Sequence, residues 1–171
     1  MGPQEIEAFV SHLANDRGVS ASTQTQSVSA VLFHGTGLRV MECVQLRVQS
    51  VDFGYRQITV INGKGAKDRF VPLPEALIPE LKQCIAASER LLATDKADGF
   101  GEVSMPESLV RKTPSAPFDL RWWYVFPASH RSRDPITGRT KRHHIDPSVM
   151  QKGDARGGAG GADWQAGDAS Y

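Results

Sequence analysis

The sequence holds only two cysteines, Cys43 and Cys84, which is too few for a disulfide framework, and their spacing is not that of a thiolate metal site. Both fall in apolar, helix-patterned surroundings, so they are expected as buried, reduced thiols of a cytoplasmic protein. No apolar run approaches the roughly 18 residues needed to cross a bilayer. The opening Met1-Gly2-Pro3-Gln4-Glu5 lacks the basic-then-apolar order of a secretory leader, and Ile6 stands where a myristoylation signal carries Ser or Thr. An excess of charge of either sign is also missing: 20 Lys and Arg stand against 19 Asp and Glu. A polyanionic partner is therefore not announced by total charge and has to be sought locally. His143 and His144 have no Cys, Asp or Glu at ligand spacing, so neither a metal nor another cofactor is expected.

What is present fits one domain of ordinary size, with 40% apolar residues in a 171-residue chain. Ile6, Phe9, Val10 and Leu13 mark one face of a helix over residues 4–14. A second helix is predicted from Ser22 to Phe33, with Val28, Val31 and Leu32 on its apolar face. Its first half, Ser22 to Ser27, is polar and uncharged, a composition that suits solvent or the phosphates and base edges of DNA. His34-Gly35-Thr36-Gly37 should break the helix, and Leu38 to Arg47 resumes a helical rhythm. Short strands are predicted at Val51–Phe53, Gln57–Ile61 and Arg69–Leu73. Asn62-Gly63 signals a hairpin turn that puts Lys64 near its tip.

A long helix should follow from Pro74 to about Ala93, with Leu77, Ile78, Leu81, Ile85 and Leu92 inward. Residues 94–118 read as loop with one helical turn near Pro106–Val110, and Trp122 to Phe126 as an aromatic strand. From His130 to His144 runs a basic loop in which Arg131, Arg133, Arg139, Lys141 and Arg142 are opposed only by Asp134. A helix capped by Asp146 is expected to start near Ile145. After Lys152 no Leu, Ile, Val, Met or Phe occurs, so residues 153–171 are expected to be disordered. The change of character there suggests a shifted reading frame.

Three segments, taken in order, resemble the tyrosine recombinases. Gly35-Thr36-Gly37-Leu38-Arg39-Val40-Met41-Glu42 is similar to the family's first arginine motif. Asn62-Gly63-Lys64-Gly65-Ala66-Lys67-Asp68-Arg69 with Val71-Pro72-Leu73 is similar to its lysine hairpin. Trp122-Trp123-Tyr124-Val125-Phe126-Pro127, Arg131 to Pro135 and Arg142-His143-His144-Ile145-Asp146 resemble the extra segment of the integron integrases. The resemblance implies an α+β fold: a partial, mainly helical catalytic domain over 34–152 with a small antiparallel sheet. Ahead of it, residues 1–33 would be two helices of a DNA-clamping domain.

The resemblance also implies site-specific recombination of DNA through a 3′-phosphotyrosyl intermediate, on folded single-stranded or duplex sites, by members that assemble as tetramers. Arg39 would clamp the scissile phosphate, because guanidinium is planar, permanently charged and bidentate toward phosphate oxygens. Lys64 would protonate the leaving 5′ oxygen. Glu42, one turn beyond Arg39, would orient it through an ion pair. Lys67 and Arg69 would contact the DNA backbone, and Trp122, Pro135, Arg142, His143 and His144 would hold DNA and its protruding bases.

The sequence also departs from the family pattern. No His-x-x-Arg motif follows residue 152, and His130 with Arg133 lies inside the basic segment instead. Tyr171 sits in the polar tail, without the leucine-rich helix of a nucleophile. Leu32-Phe33 runs directly into His34-Gly35, as though an internal piece were missing. Without a second arginine, histidine and tyrosine no covalent intermediate forms, so catalysis is expected to be lost while Arg39 and Lys64 still bind phosphate. The alternatives are a non-catalytic DNA-binding remnant and an inert pseudogene product.

Overall fold

A computed structural model describes residues 21–61, 68–105, 107–135 and 137–148. The helix expected over 4–14, the hairpin tip with Lys64 and Lys67, and the tail from 153 lie outside the described residues. Helix α1 spans Ala21–Thr36. It continues through the predicted break at His34 because the two glycines have separate places. Gly35 stays helical, and Gly37 alone takes the left-handed conformation (φ 68°) that ends the helix. Thr36 closes the last turn by donating its hydroxyl to the Leu32 carbonyl at 2.6 Å.

A short helix α2 follows at Val40–Val44, then strands β1 (Val51–Asp52), β2 (Gln57–Val60) and β3 (Arg69–Pro72). They form an antiparallel sheet in the order β1-β2-β3, with Val60 opposite Arg69 and Ile58 opposite Val71. Alternation along β2 and β3 turns Ile58, Val60 and Val71 inward and leaves Phe70 exposed. Helix α3, Ile78–Ala97, begins after a 3-10 turn at Glu75–Leu77 and runs past its predicted end. Pro79 suits its first turn, and Gly99 (φ 81°) stops it. A one-turn helix α4 occupies Glu107–Lys112.

Two corrections concern the C-terminal part. The aromatic run is not a regular strand: Leu120–Trp122 makes a 3-10 turn, and Trp123, Tyr124, Val125 and Phe126 are buried in a bent segment beyond it that makes a single antiparallel bridge, Tyr124 to Arg47. The basic loop is a β-hairpin, β4 (Pro127–Arg133) paired antiparallel with β5 (Thr140–His144). Asp134 builds the turn. Its carbonyl accepts from Gly138 N–H at 2.8 Å, its carboxylate accepts from Thr137 N–H at 3.1 Å, and its own N–H donates to Arg139.

The main core joins α1, α2, the three-stranded sheet and the first half of α3 through Val28, Val31, Leu32, Leu38, Val44, Ile58, Leu77 and Leu81. A second cluster holds Leu92, Val103, Trp123 and Tyr124. The half-buried Arg47 links the two. Its guanidinium donates to the carbonyls of Trp122 and Ser104 and to the Tyr124 hydroxyl, and lies 4.4 Å from the Tyr124 ring centroid.

The hairpin is latched to α3 by an ion pair out of solvent's reach. Arg142 Nε and Nη2 fork Asp95 at 2.6 and 2.7 Å, with Asp95 1% and Arg142 7% exposed. Removing one partner strands the other, so Asp95→Ala is expected to cost about 3–5 kcal/mol. Arg139→Ala, which breaks an exposed pair with Glu102, is expected to cost no more than ~1 kcal/mol. Urea denaturation of the two variants at neutral pH checks the contrast, and equal losses would remove the latch.

Candidate functional site

Three side chains meet where the first arginine motif faces the mouth of the β2–β3 hairpin. Gly37 turns the chain out of α1, the buried Leu38 anchors it, and Arg39 is left at the N-cap of α2. Glu42, on the first turn of α2, is the centre of the group. Its Oε2 accepts the Arg39 backbone N–H at 2.7 Å and Arg69 Nη2 at 2.6 Å. Its Oε1 accepts Arg39 Nη1 at 2.9 Å and Arg69 Nη1 at 2.8 Å. A carboxylate has about four acceptor sites, so this one is filled. The ion pair expected between Arg39 and Glu42 is thus present in the structure. The partner that sequence did not supply for it is Arg69.

Exposure separates the two arginines: the Arg39 side chain is 55% exposed, Arg69 35% and Glu42 15%. Arg69 has both of its Nη groups on Glu42, whereas Arg39 uses one. The trio carries one net positive charge, and its accessible part is the Arg39 guanidinium. Hydrogen bonds from Arg69 are the largest cause holding the Glu42 carboxyl at about 2, well below its ordinary 4.5. Lys64 and Lys67 lie outside the described residues, in the segment that β2 and β3 bracket.

The basic segment is far less available than its sequence implies. Arg142 donates to Ala128 and Ser129 carbonyls at 2.8 and 2.9 Å besides its fork on Asp95. These four bonds give it a structural place in the hairpin's base and leave little for a nucleic acid. Lys141 is buried between Glu102 and Asp134 at 3.1 and 3.4 Å. Arg131 reaches Asp98 at 2.9 Å and Asp95 at 3.4 Å, and its guanidinium lies 4.4 Å from the Phe100 ring centroid. Arg133 donates to the Gly138 carbonyl. Apart from Asp134, the opposing acids (Asp95, Asp98 and Glu102) come from α3 and the chain just after it, beyond any local reading of the segment. A signal for Asp95 was there: it continues the buried stripe Leu81, Cys84, Ser88, Leu92 at helical spacing.

His143 and His144, half-buried on β5, line a groove of about 610 Å³. Thr25 and Gln26 of α1, Cys84 and Ser88 of α3, and residues 127–132 of β4 complete its lining. His144 also meets the Tyr124 ring edge to face at 5.4 Å. The polar half of α1 and the histidine pair, distant in sequence, therefore share one cleft. Trp122 packs against the second cluster and Pro135 is exposed at the β4–β5 turn, and neither lines the groove. Both cysteines are buried, and burial pushes each thiol up to about 12, which makes them poor nucleophiles. Among the described residues no group of His, Cys, Asp and Glu is set to hold a metal, and no helix is long and apolar enough to cross a membrane.

Because the Glu42 carboxyl is held below its ordinary value, its contribution to stability is complete above about pH 4.5 and is lost as pH falls through about 2. A carbon-13 titration of the Glu42 carboxyl is expected to give a midpoint near 2. A midpoint near the ordinary 4.5 would mean that the arginines do not hold it.

Comparison with known proteins gives a consistent family. The sequence model of the phage integrase family matches residues 1–156. A protein of Escherichia coli described as an integrase/recombinase is 31% identical over 204 aligned residues, covering 89% of this chain and 60% of its own length. A Pseudomonas aeruginosa protein with the same description gives the same figures. The tyrosine recombinase XerA of Thermococcus onnurineus is 30% identical over 127 residues, or 72% of this chain and 40% of that protein. The chain thus spans about 60% of the length of the first two relatives.

Proposed function

This chain belongs to the phage integrase family of tyrosine recombinases, and from that premise we propose that it binds the DNA backbone at Arg39 without cutting it. The observation that carries the reading is the filled Glu42 carboxylate, which holds Arg39 on one side and leaves the rest of its guanidinium toward solvent. A guanidinium so held meets a phosphate with little further loss of freedom. Lys64, on the segment between β2 and β3, is the proposed acid of the intact family's reaction, and Lys67 a backbone contact.

The reading stops at binding because transfer also needs an oxygen nucleophile and enough cations to stabilise a phosphorane, and the described residues gathered at the site are two arginines and one glutamate. An internal shortening fits as well. The alignment with the Escherichia coli protein spans 204 positions, more than this whole chain, so the relative holds residues inside the span that this chain does not. We place the missing stretch ahead of Gly35-Thr36-Gly37-Leu38-Arg39, where α1 now runs without interruption into the motif.

The integron-type reading rests on the groove. Its volume of about 610 Å³ and its histidines suit a base turned out of a folded strand, with Thr25 and Gln26 able to bond the base edge or its phosphate. Trp122, Pro135 and Arg142 contribute by shaping the hairpin and its surroundings. Intact subunits of the family, with which this chain would share a site on DNA, are the proposed partners.

Gel shifts on hairpin DNA with protruding bases test both parts. Arg39→Ala is expected to weaken binding about tenfold at low salt and to lower the salt slope by about one. His143→Ala with His144→Ala is expected to abolish the preference for protruding bases over plain duplex. Denaturing gels of a nicked suicide substrate should show no covalent product, and any such product overturns the loss of cutting. Undiminished binding by Arg39→Ala refutes the phosphate reading. A circular dichroism melt without a cooperative transition would favour the inert product instead.

A further inference from the structure

We propose that Arg69 is a positioning residue: by gripping Glu42 it aims the Arg39 guanidinium at phosphate and ties that aim to the β2–β3 hairpin. This rests on the reading that Arg39 binds a DNA phosphate. The sequence suggests a direct backbone contact for Arg69, but the geometry points elsewhere. Arg69 makes a two-pronged fork at 2.6 and 2.8 Å to the two oxygens of Glu42, and its side chain is the less exposed of the two arginines. Redirecting it to DNA would break both bonds and leave a partly buried carboxylate short of donors.

The fork has two consequences for Arg39. The first is geometric. Glu42 has a free choice of rotamer only while its oxygens are unclaimed. With Arg69 holding both, the carboxylate plane is fixed, and Arg39 docks against it by one Nη and its own backbone N–H. The second is electrostatic. Alone with Glu42, Arg39 would be half of a neutral pair and would be drawn into a fork of its own. With Arg69 sharing the carboxylate, one net positive charge remains, on the side that faces solvent.

Arg69 is also the first residue of β3, paired in register with Val60 at the last position of β2. It is therefore a described residue through which the hairpin touches the arginine motif by charge. A shift of the hairpin's end relative to α2 pulls on Glu42 before it reaches Arg39. Binding at the hairpin and binding at Arg39 are coupled by this contact.

A double-mutant cycle in the full chain separates the alternatives, with DNA affinity read by gel shift. Arg69→Gln is expected to weaken binding roughly threefold to tenfold in the parent, and less than twofold in an Arg39→Ala background, because the two residues act as a unit. Full additivity, with a salt slope falling in each background, would make Arg69 a phosphate contact in its own right and overturn the inference. No effect of Arg69→Gln in the parent overturns it too. Arg69→Lys, which keeps the charge but not the fork, is expected to lose binding nearly as far as Arg69→Gln and guards against a folding defect in the neutral variant. The Glu42 carboxyl gives an independent reading: its carbon-13 midpoint should rise in both Arg69 variants, and an unmoved midpoint refutes the grip. Should Arg39→Ala itself bind like the parent, the phosphate reading fails first and takes this coupling with it, whereas loss in Arg39→Ala with silence in Arg69→Gln sinks the coupling alone.

Discussion

Asp95 determines where the basic hairpin lies. It continues the inward stripe of α3, where a lone carboxylate would be costly to bury. Arg142 meets it from β5 with a fork, and the same guanidinium bonds the carbonyls of Ala128 and Ser129 on β4. One contact therefore joins both strands of the hairpin to the helix. The position of that hairpin then makes the groove, since β4 and β5 line it together with α1 and α3. Lys141 with Glu102 and Asp134, and Arg131 with Asp98, extend the contact outward along the hairpin.

Glu42 solves a similar problem with the opposite outcome. Around Asp95 the cations are enclosed and their charge is consumed. Around Glu42 two arginines share one carboxylate, and the more open of them keeps its charge for something outside the molecule. A run of five basic residues is thus a poorer guide to anion binding than a single arginine beside a single glutamate. What matters is how many opposing acids the fold brings to each cation, and that count is set by packing, not by local composition.

The same distinction explains what was readable in the sequence. Local devices were legible. The strands at 57–60 and 69–72, the long helix, the turn out of α1 and the i, i+3 pairing of Arg39 with Glu42 all depend on neighbours within a few residues. Long-range pairings were not. Arg69 lies 27 residues from Glu42, Arg142 lies 47 from Asp95, and Arg47 lies 75 from the Trp122 carbonyl it bonds. The basic segment read as loop because its charges hid the strand alternation. β-Pairing there is stabilised by buried ion pairs where apolar side chains would ordinarily carry the pattern. The aromatic run misled in the other direction: Trp123, Tyr124, Val125 and Phe126 are all buried, so it fills core in a bent segment that pairs with the chain only at one bridge, Tyr124 to Arg47.

Continuity of α1 links the fold to the two proposed DNA-facing features. Val28, Val31 and Leu32 lie in the same core as Leu38, Ile58 and Leu81, so the helix closes the sheet's inner side directly. Each such side chain contributes about 1.5–3 kcal/mol by leaving water, which a helix confined to a separate clamping unit would not give to this core. The end of α1 then feeds the turn that presents Arg39, while its polar first half faces the groove through Thr25 and Gln26. A helix that supports the arginine motif at one end and borders the histidine cleft at the other gives both proposed DNA-facing features a single rigid frame. Holding a phosphate on that frame needs only a cation fixed in place, whereas breaking its ester also needs a nucleophile and a second set of charges around the transition state.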